Sequence, residues 1–120
     1  MEITSLSIIK EKVFALLGES SQARKVMLAC DEAFSNIVNY SNASKVSFCC
    51  EKTPSLFSVI FSDDGIPFDQ SAEKVQEKDF DLLDEGGMGL NIIRQTTTEM
   101  EYERKDGWNV LTLRFALDNL

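Results

Sequence analysis

Within DEAFSNIVNY, Glu32, Asn36 and Tyr40 recur four residues apart. On a helix that interval stacks side chains along one side, each about 5.4 Å from the next. A carboxylate and an amide oxygen so placed approach one phosphate–metal group from a common surface. Mg²⁺ takes oxygen ligands and shares them with phosphates, which suits Asn36. Glu32 can accept a proton from an attacking hydroxyl or water. For this segment alone a solvated helix face is as good a reading. Asn36 and Asn39 tip it toward chemistry, because asparagine has no propensity advantage in an otherwise apolar helix-ending segment.

Two further segments carry candidate chemistry. In SDDGIPFD a strand ends at Asp63, and Gly65 and Pro67 turn the chain. A carboxylate at a strand end can accept from an exocyclic amine such as that of adenine, and Gly65 lets a flat ring approach the backbone. Taken alone, an ordinary Asp-Gly turn explains this segment better. In GGMGLNII, glycines directly before a helix let backbone amides converge on an anion. No Lys-Ser/Thr follows and the spacing is not GxGxxG, so this is neither a Walker loop nor a dinucleotide fingerprint. A flexible loop that ends in a helix is its plain alternative.

The elements that must position these residues follow from periodicity. Leu6, Ile9, Val13 and Leu16 mark a first helix, stopped at Gly18. From about Ser21 to Tyr40 a second helix lines up Val26, Cys30, Ala33 and Ile37, capped by Ser20 or Ser21 and ended by Ser41-Asn42-Ala43. Strands are predicted around Val46 to Cys50 and Leu56 to Phe61, joined by a turn at Thr53-Pro54-Ser55. A long polar segment runs from about Asp69 to Glu85 and leads into the glycines and a third helix, LNIIRQTT. EMEYERK and WNVLTLRFAL read as two strands joined at Asp106-Gly107. The order predicts an α+β domain over residues 1–120, with a mixed or antiparallel sheet and helices on one face.

Composition narrows the function. The 120 residues carry a net charge of −8, which disfavours nucleic acid and anionic membranes as partners. Small phosphate ligands stay open, because backbone amides and a metal ion can hold them locally. The absence of histidine removes Ser-His-Asp triads, Cys-His pairs and self-phosphorylation on histidine. Cys30, Cys49 and Cys50 form no CxxC spacing; adjacent strand residues face opposite ways, and buried reduced thiols are expected. No apolar run is long enough to span a membrane and the N-terminus has no basic n-region, so a cytoplasmic location is the default expectation.

Taken together and in order, LACDEAFSNIVNYS, FSDDGIPFD, GGMGLNIIRQTTTEMEY and DGWNVLTLRF resemble the N, G1 and G2 boxes and flanks of the GHKL (Bergerat-fold) ATPases. Within that group the chain is most similar to the bacterial anti-sigma regulatory factors, which are serine-protein kinases. The resemblance spans Leu28 to Phe115 and implies a two-layer α/β sandwich that binds ATP with Mg²⁺. Glu32 would be the general base for a protein serine, and Asn36 the Mg²⁺ ligand. Asp63 would bind the adenine amine, with Gly65 beneath the ring. Gly87, Met88 and Gly89 would wrap the phosphates, and residues of about 69–86 would form the ATP lid. The implied partners are a small antagonist protein, a sigma factor and a second copy of the chain.

Two departures from the family pattern stand out. Only Met1 to Thr4 precede the first helix, where the family usually has a strand. The family's usual threonine after the last turn glycine is Trp108 here, so a phosphate contact is lost or moves to Asn109. They motivate an alternative reading, an ATP-binding protein-interaction module with weak or no kinase activity. A histidine-kinase catalytic domain cut from a longer receptor is a third and weaker reading.

Overall fold

The structure is a computed structural model that describes residues 5–70 and 97–117. Two helices come first, α1 (Leu6–Leu17) and α2 (Ser21–Tyr40). Four strands follow: β1 (Val46–Lys52), β2 (Leu56–Asp63), β3 (Glu99–Lys105) and β4 (Trp108–Ala116). The strands form one sheet in the order β1-β2-β4-β3, and all three pairings are antiparallel. Both helices lie on one face, the α+β arrangement predicted.

Local chemistry sets the boundaries. The Ser5 hydroxyl accepts from Ile8 N–H at the start of α1, and Ser20 accepts from Ala23 N–H at the start of α2. Gly18 ends α1 with φ 71° and donates its N–H to the Phe14 carbonyl. Asp106 (φ 50°) and Gly107 (φ 83°) make the tight β3–β4 turn, where both central residues need positive φ.

The core lies between the helices and the sheet. Ala23, Val26, Ala29, Cys30, Ala33 and Ile37 of α2 meet alternate residues of β2 (Phe57, Val59, Phe61) and β4 (Leu111, Leu113, Phe115). Phe61 is flanked by the rings of Phe34 and Phe48, with centroids at 6.5 and 5.1 Å. Each such phenylalanine contributes about 1.5–3 kcal/mol by leaving water. On α1 the buried stripe is Ile9 and Val13, with Phe14 and Leu17 packed beside it, whereas Leu6 and Leu16 are exposed. The helix stands where its spacing and Gly18 put it, and α1 packs its Ile9–Val13–Leu17 side onto α2 and β1. The expectation of three buried thiols is corrected: Cys30 is buried, Cys50 half-buried and Cys49 exposed. Cys49 points to the helix-free face of an edge strand, where no described residue covers it.

α2 crosses the sheet from end to end. Near its start Gln22 donates to the Ala116 carbonyl at the far end of β4. At its C-terminal end the Ser41 carbonyl accepts from Ile66 N–H at 2.7 Å. The helix that carries Glu32 and Asn36 is thereby tied to the turn that follows Asp63.

Candidate functional site

Alternation along β2 turns Phe57, Val59, Phe61 and Asp63 to the same buried face. Asp63 is the last of these and only 2% exposed. Its partner in register is Asn109 on β4, and the next strand supplies Arg104. A buried carboxylate requires donors. Asp63 Oδ1 accepts from Gly65 N–H and from Asn109 Nδ2, each at 3.0 Å. Among the described residues both donors converge on Oδ1 and none reaches Oδ2, which can accept from a ligand.

Asn109 is the hub of this end. Its Nδ2 also donates to the Ile66 carbonyl at 2.7 Å. Its Oδ1 accepts from the Phe68 N–H and Arg104 Nη1, each at 3.2 Å, and from the Tyr102 hydroxyl. Arg104 Nη1 further donates to the Gly65 carbonyl at 2.7 Å. The turn after β2 is therefore clamped from the β3–β4 side. From the other side, Asp64 accepts from the Ser44 and Lys45 backbone N–H groups and from the Ser44 hydroxyl. These bonds, the Ser44 hydroxyl first, hold the Asp64 carboxyl below the usual carboxylate range.

Gly65 is required for a reason independent of any ring. A Cβ built on it would lie 2.1 Å from the Ser41 carbonyl oxygen, so any larger residue collides with the end of α2. Beyond Gly65 the chain runs back along α2. Ile66 bonds Ser41; Phe68 lies against Tyr40 with ring centroids 5.8 Å apart; Gln70 reaches Asn36 and Ala33. Tyr40 thus packs on the turn, while Asn36, 4% exposed, and half-buried Glu32 lie further back on the helix.

Of the residues expected from sequence, the structure brings Glu32, Asn36, Asp63 and Gly65 to the C-terminal half of α2 and the end of β2. Gly87, Met88 and Gly89 and all but the first two residues of the 69–86 lid lie outside the described residues, as do residues 90–96 of the expected third helix and the Met1–Thr4 segment. Trp108 is half-buried and turned from Asp63, and Asn109 takes the inward position beside it. Sequence reasoning gave no role to Gln70, Tyr102 or Arg104. The alternation of Asn109 with Leu111, Leu113 and Phe115 was a usable signal for a polar group aimed inward. Gln70 had none.

The chemistry of the donor set fits ATP and Mg²⁺. A carboxylate oxygen left to accept suits an exocyclic amine. Among the described residues, no cluster of three His, Cys, Asp or Glu is placed to hold a cation by protein ligands alone. A cation here would instead take the Asn36 amide oxygen together with phosphate oxygens and water, the usual manner of Mg²⁺ with nucleotides.

Comparison with known proteins agrees with this geometry. Residues 6–115 match the family described as the Histidine kinase-like ATPase domain. The chain is 30% identical over 101 residues to the serine/threonine-protein kinase BtrW of Bordetella bronchiseptica, covering 78% of this chain and 71% of that protein. In fold it resembles the histidine kinase domain of the Erythrobacter litoralis blue-light-activated kinase, with TM-score 0.55 and 18% identity, over 92% of this chain and 58% of that one. It resembles the Acinetobacter baumannii histidine kinase AdeS in the same way, with TM-score 0.57 and 14% identity, over 98% and 68%. The chain spans less than two thirds of the first of these structures, and at such identities the likeness speaks for the fold. With the family match running through both α2 and the β2–β4 floor, the chain belongs to the histidine kinase-like ATPases.

Proposed function

We propose that this ATPase domain is a serine-protein kinase of the anti-sigma type, which transfers the γ-phosphoryl group of ATP to a serine of a small antagonist protein and in its free form sequesters a sigma factor. The observation that carries the reading is the path of residues 65–70, which leads from the Asp63 carboxylate back along α2 to Asn36, toward Glu32. These residues together supply an acceptor for a base amine, an amide oxygen for a cation and a carboxylate for a hydroxyl proton. The likeness to a serine/threonine-protein kinase supports the choice of acceptor.

In this reading Asp63 orients the nucleotide through Oδ2, and Asn36 contributes one oxygen to the cation. Mg²⁺, when bound, neutralises phosphate charge during transfer. Glu32 takes the proton of the attacking serine hydroxyl. General-base assistance is worth about 10²–10⁴-fold, so loss of the base should cut transfer by that order, while the positioning contacts that hold the nucleotide remain and binding is spared.

Two experiments test this. Calorimetric titration of Mg·ATP should give saturable one-site binding that Asp63→Ala removes. Incubation with γ-labelled ATP and a co-purifying antagonist protein should label a serine, and Glu32→Gln should cut labelling by about 10²–10⁴-fold with nucleotide binding retained. Labelling at the wild-type rate by Glu32→Gln would overturn the base assignment. Capture of a partner in an ATP-dependent manner with no phosphoserine formed would favour a nucleotide-gated interaction module, a reading supported by the unusual Trp108-Asn109 pair.

A further inference from the structure

Gln70 is 1% exposed, and its amide lies against the middle of α2. Its Nε2 donates to the Ala33 backbone carbonyl at 3.2 Å. Its Oε1 accepts from Asn36 Nδ2 at 3.3 Å. A backbone carbonyl can only accept, so the end of Gln70 that meets Ala33 must be its NH₂. The other end of Gln70 is then an oxygen, and the atom of Asn36 that faces it must be the Asn36 NH₂. One carbonyl thus fixes the polarity of two amides in series. The Asn36 oxygen is left on the side away from Gln70.

We infer that Gln70 is a positioning residue: anchored on the Ala33 carbonyl, it holds the Asn36 side chain with its oxygen, rather than its NH₂, presented to the divalent cation that accompanies the nucleotide phosphates. The inference rests on the Mg·ATP reading of α2 given above. Both ends of an asparagine amide have nearly the same shape, so packing alone does not choose between them. An NH₂ presented to a cation repels it. Without the Gln70 oxygen, the Asn36 amide rotates between the two orientations and cation binding falls.

Titration of ATP in Mg²⁺ and of ATP in EDTA into the wild type, Gln70→Leu and Gln70→Met tests this. The wild type should show tighter binding with Mg²⁺. Both variants should bind ATP in EDTA within about twofold of the wild type, while the gain from Mg²⁺ shrinks by about tenfold or more, as when the support of a metal ligand is removed. A carboxylate has an oxygen at both ends, so in an Asn36→Asp background Gln70→Met should cost less than about twofold of that gain. Retention of the full Mg²⁺ gain by the variants, or equal losses with and without Mg²⁺, overturns the inference. In the wild type itself, the Asn36 side-chain NH₂ should stay protected from hydrogen exchange when Mg·ATP is added; loss of that protection overturns it without any variant. Failure of the wild type to bind ATP in either buffer removes the nucleotide reading, and this inference with it.

Discussion

Asn109 donates its side-chain N–H to Oδ1 of Asp63 at 3.0 Å, from 46 residues further along the chain but directly opposite in the sheet. The same asparagine accepts from Tyr102, Arg104 and the Phe68 N–H, so the orientation of the Asp63 carboxylate is set by the β3–β4 hairpin.

Asn109→Ala should therefore act on both stability and nucleotide choice. It strips an acceptor from three donors and a donor from a buried carboxylate, a change expected to cost about 1–3 kcal/mol in urea unfolding. It also frees Asp63 to turn. The wild type should prefer ATP to the triphosphate of purine riboside, which lacks the exocyclic amine, and Asn109→Ala should lose that preference. Equal losses for both nucleotides would confine Asn109 to supporting the turn.

Gly65→Ala and Gly107→Ala should separate crowding from backbone strain. Gly107 has φ 83° and open space around its missing side chain, so alanine there costs about 1–2 kcal/mol for the left-handed conformation alone. At Gly65 the new methyl would lie 2.1 Å from the Ser41 carbonyl and force the end of α2 away from the turn. Gly65→Ala should be the more destabilising in urea, by about 1–3 kcal/mol for the overpacking, and should weaken Mg·ATP binding, which Gly107→Ala should leave intact.

The Asp64 carboxyl gives a pH signature. Its pKa is lowered in the folded state by the Ser44 hydroxyl, then by the Lys45 N–H. A lowered folded pKa means that its stabilisation is complete above the unfolded value of about 3.9 and is lost as pH falls through the folded value. Asp64→Asn should accordingly unfold at lower urea than the wild type at pH 7, and the gap should close in strongly acidic buffer. A gap that is independent of pH would mean that the carboxylate charge is not what closes this turn.

The thiols should react in order of exposure. Cys49 is exposed, whereas burial pushes the Cys30 thiol far above its ordinary range, with Cys50 and Asp31 adding to the effect. Burial also raises the Cys50 thiol, and nearby Lys12 opposes this in part. A thiol reagent at pH 8 should modify Cys49 quickly, Cys50 slowly and Cys30 only on unfolding, which mass spectrometry of the labelled peptides can read. Fast native labelling of Cys30 would contradict its place in the core.

Most of this architecture was legible in the residue pattern. The Val26–Cys30–Ala33–Ile37 stripe is buried as its spacing required. The turn residues Thr53, Asp106 and Gly107 stand where the strands reverse. The buried face of α1 was not legible, because Leu6, Ile8, Ile9, Val13, Leu16 and Leu17 allow two overlapping stripes, and only contact with α2 and β1 chooses between them. At the site, the spacing of Glu32 and Asn36 and the strand-end position of Asp63 were readable because local periodicity alone sets them. Gln70 was not, since in a polar run nothing distinguishes a residue that folds back onto a helix 34 positions earlier. Asn109 lies between these cases: alternation turns it inward, but its partners come from three separate segments.

The stretch from Gly65 to Gln70 also acts as a ruler. At one end Gly65 abuts Ser41, and at the other Gln70 is locked on Ala33 and Asn36. An extended residue spans about 3.3 Å, so one residue added or deleted here would shift Gln70 by most of a helical turn relative to its partners. Substitutions at exposed Ile66 and Pro67 should therefore be absorbed far more readily than any change in the number of residues. Loop grafts between related domains should preserve this count before they preserve its composition.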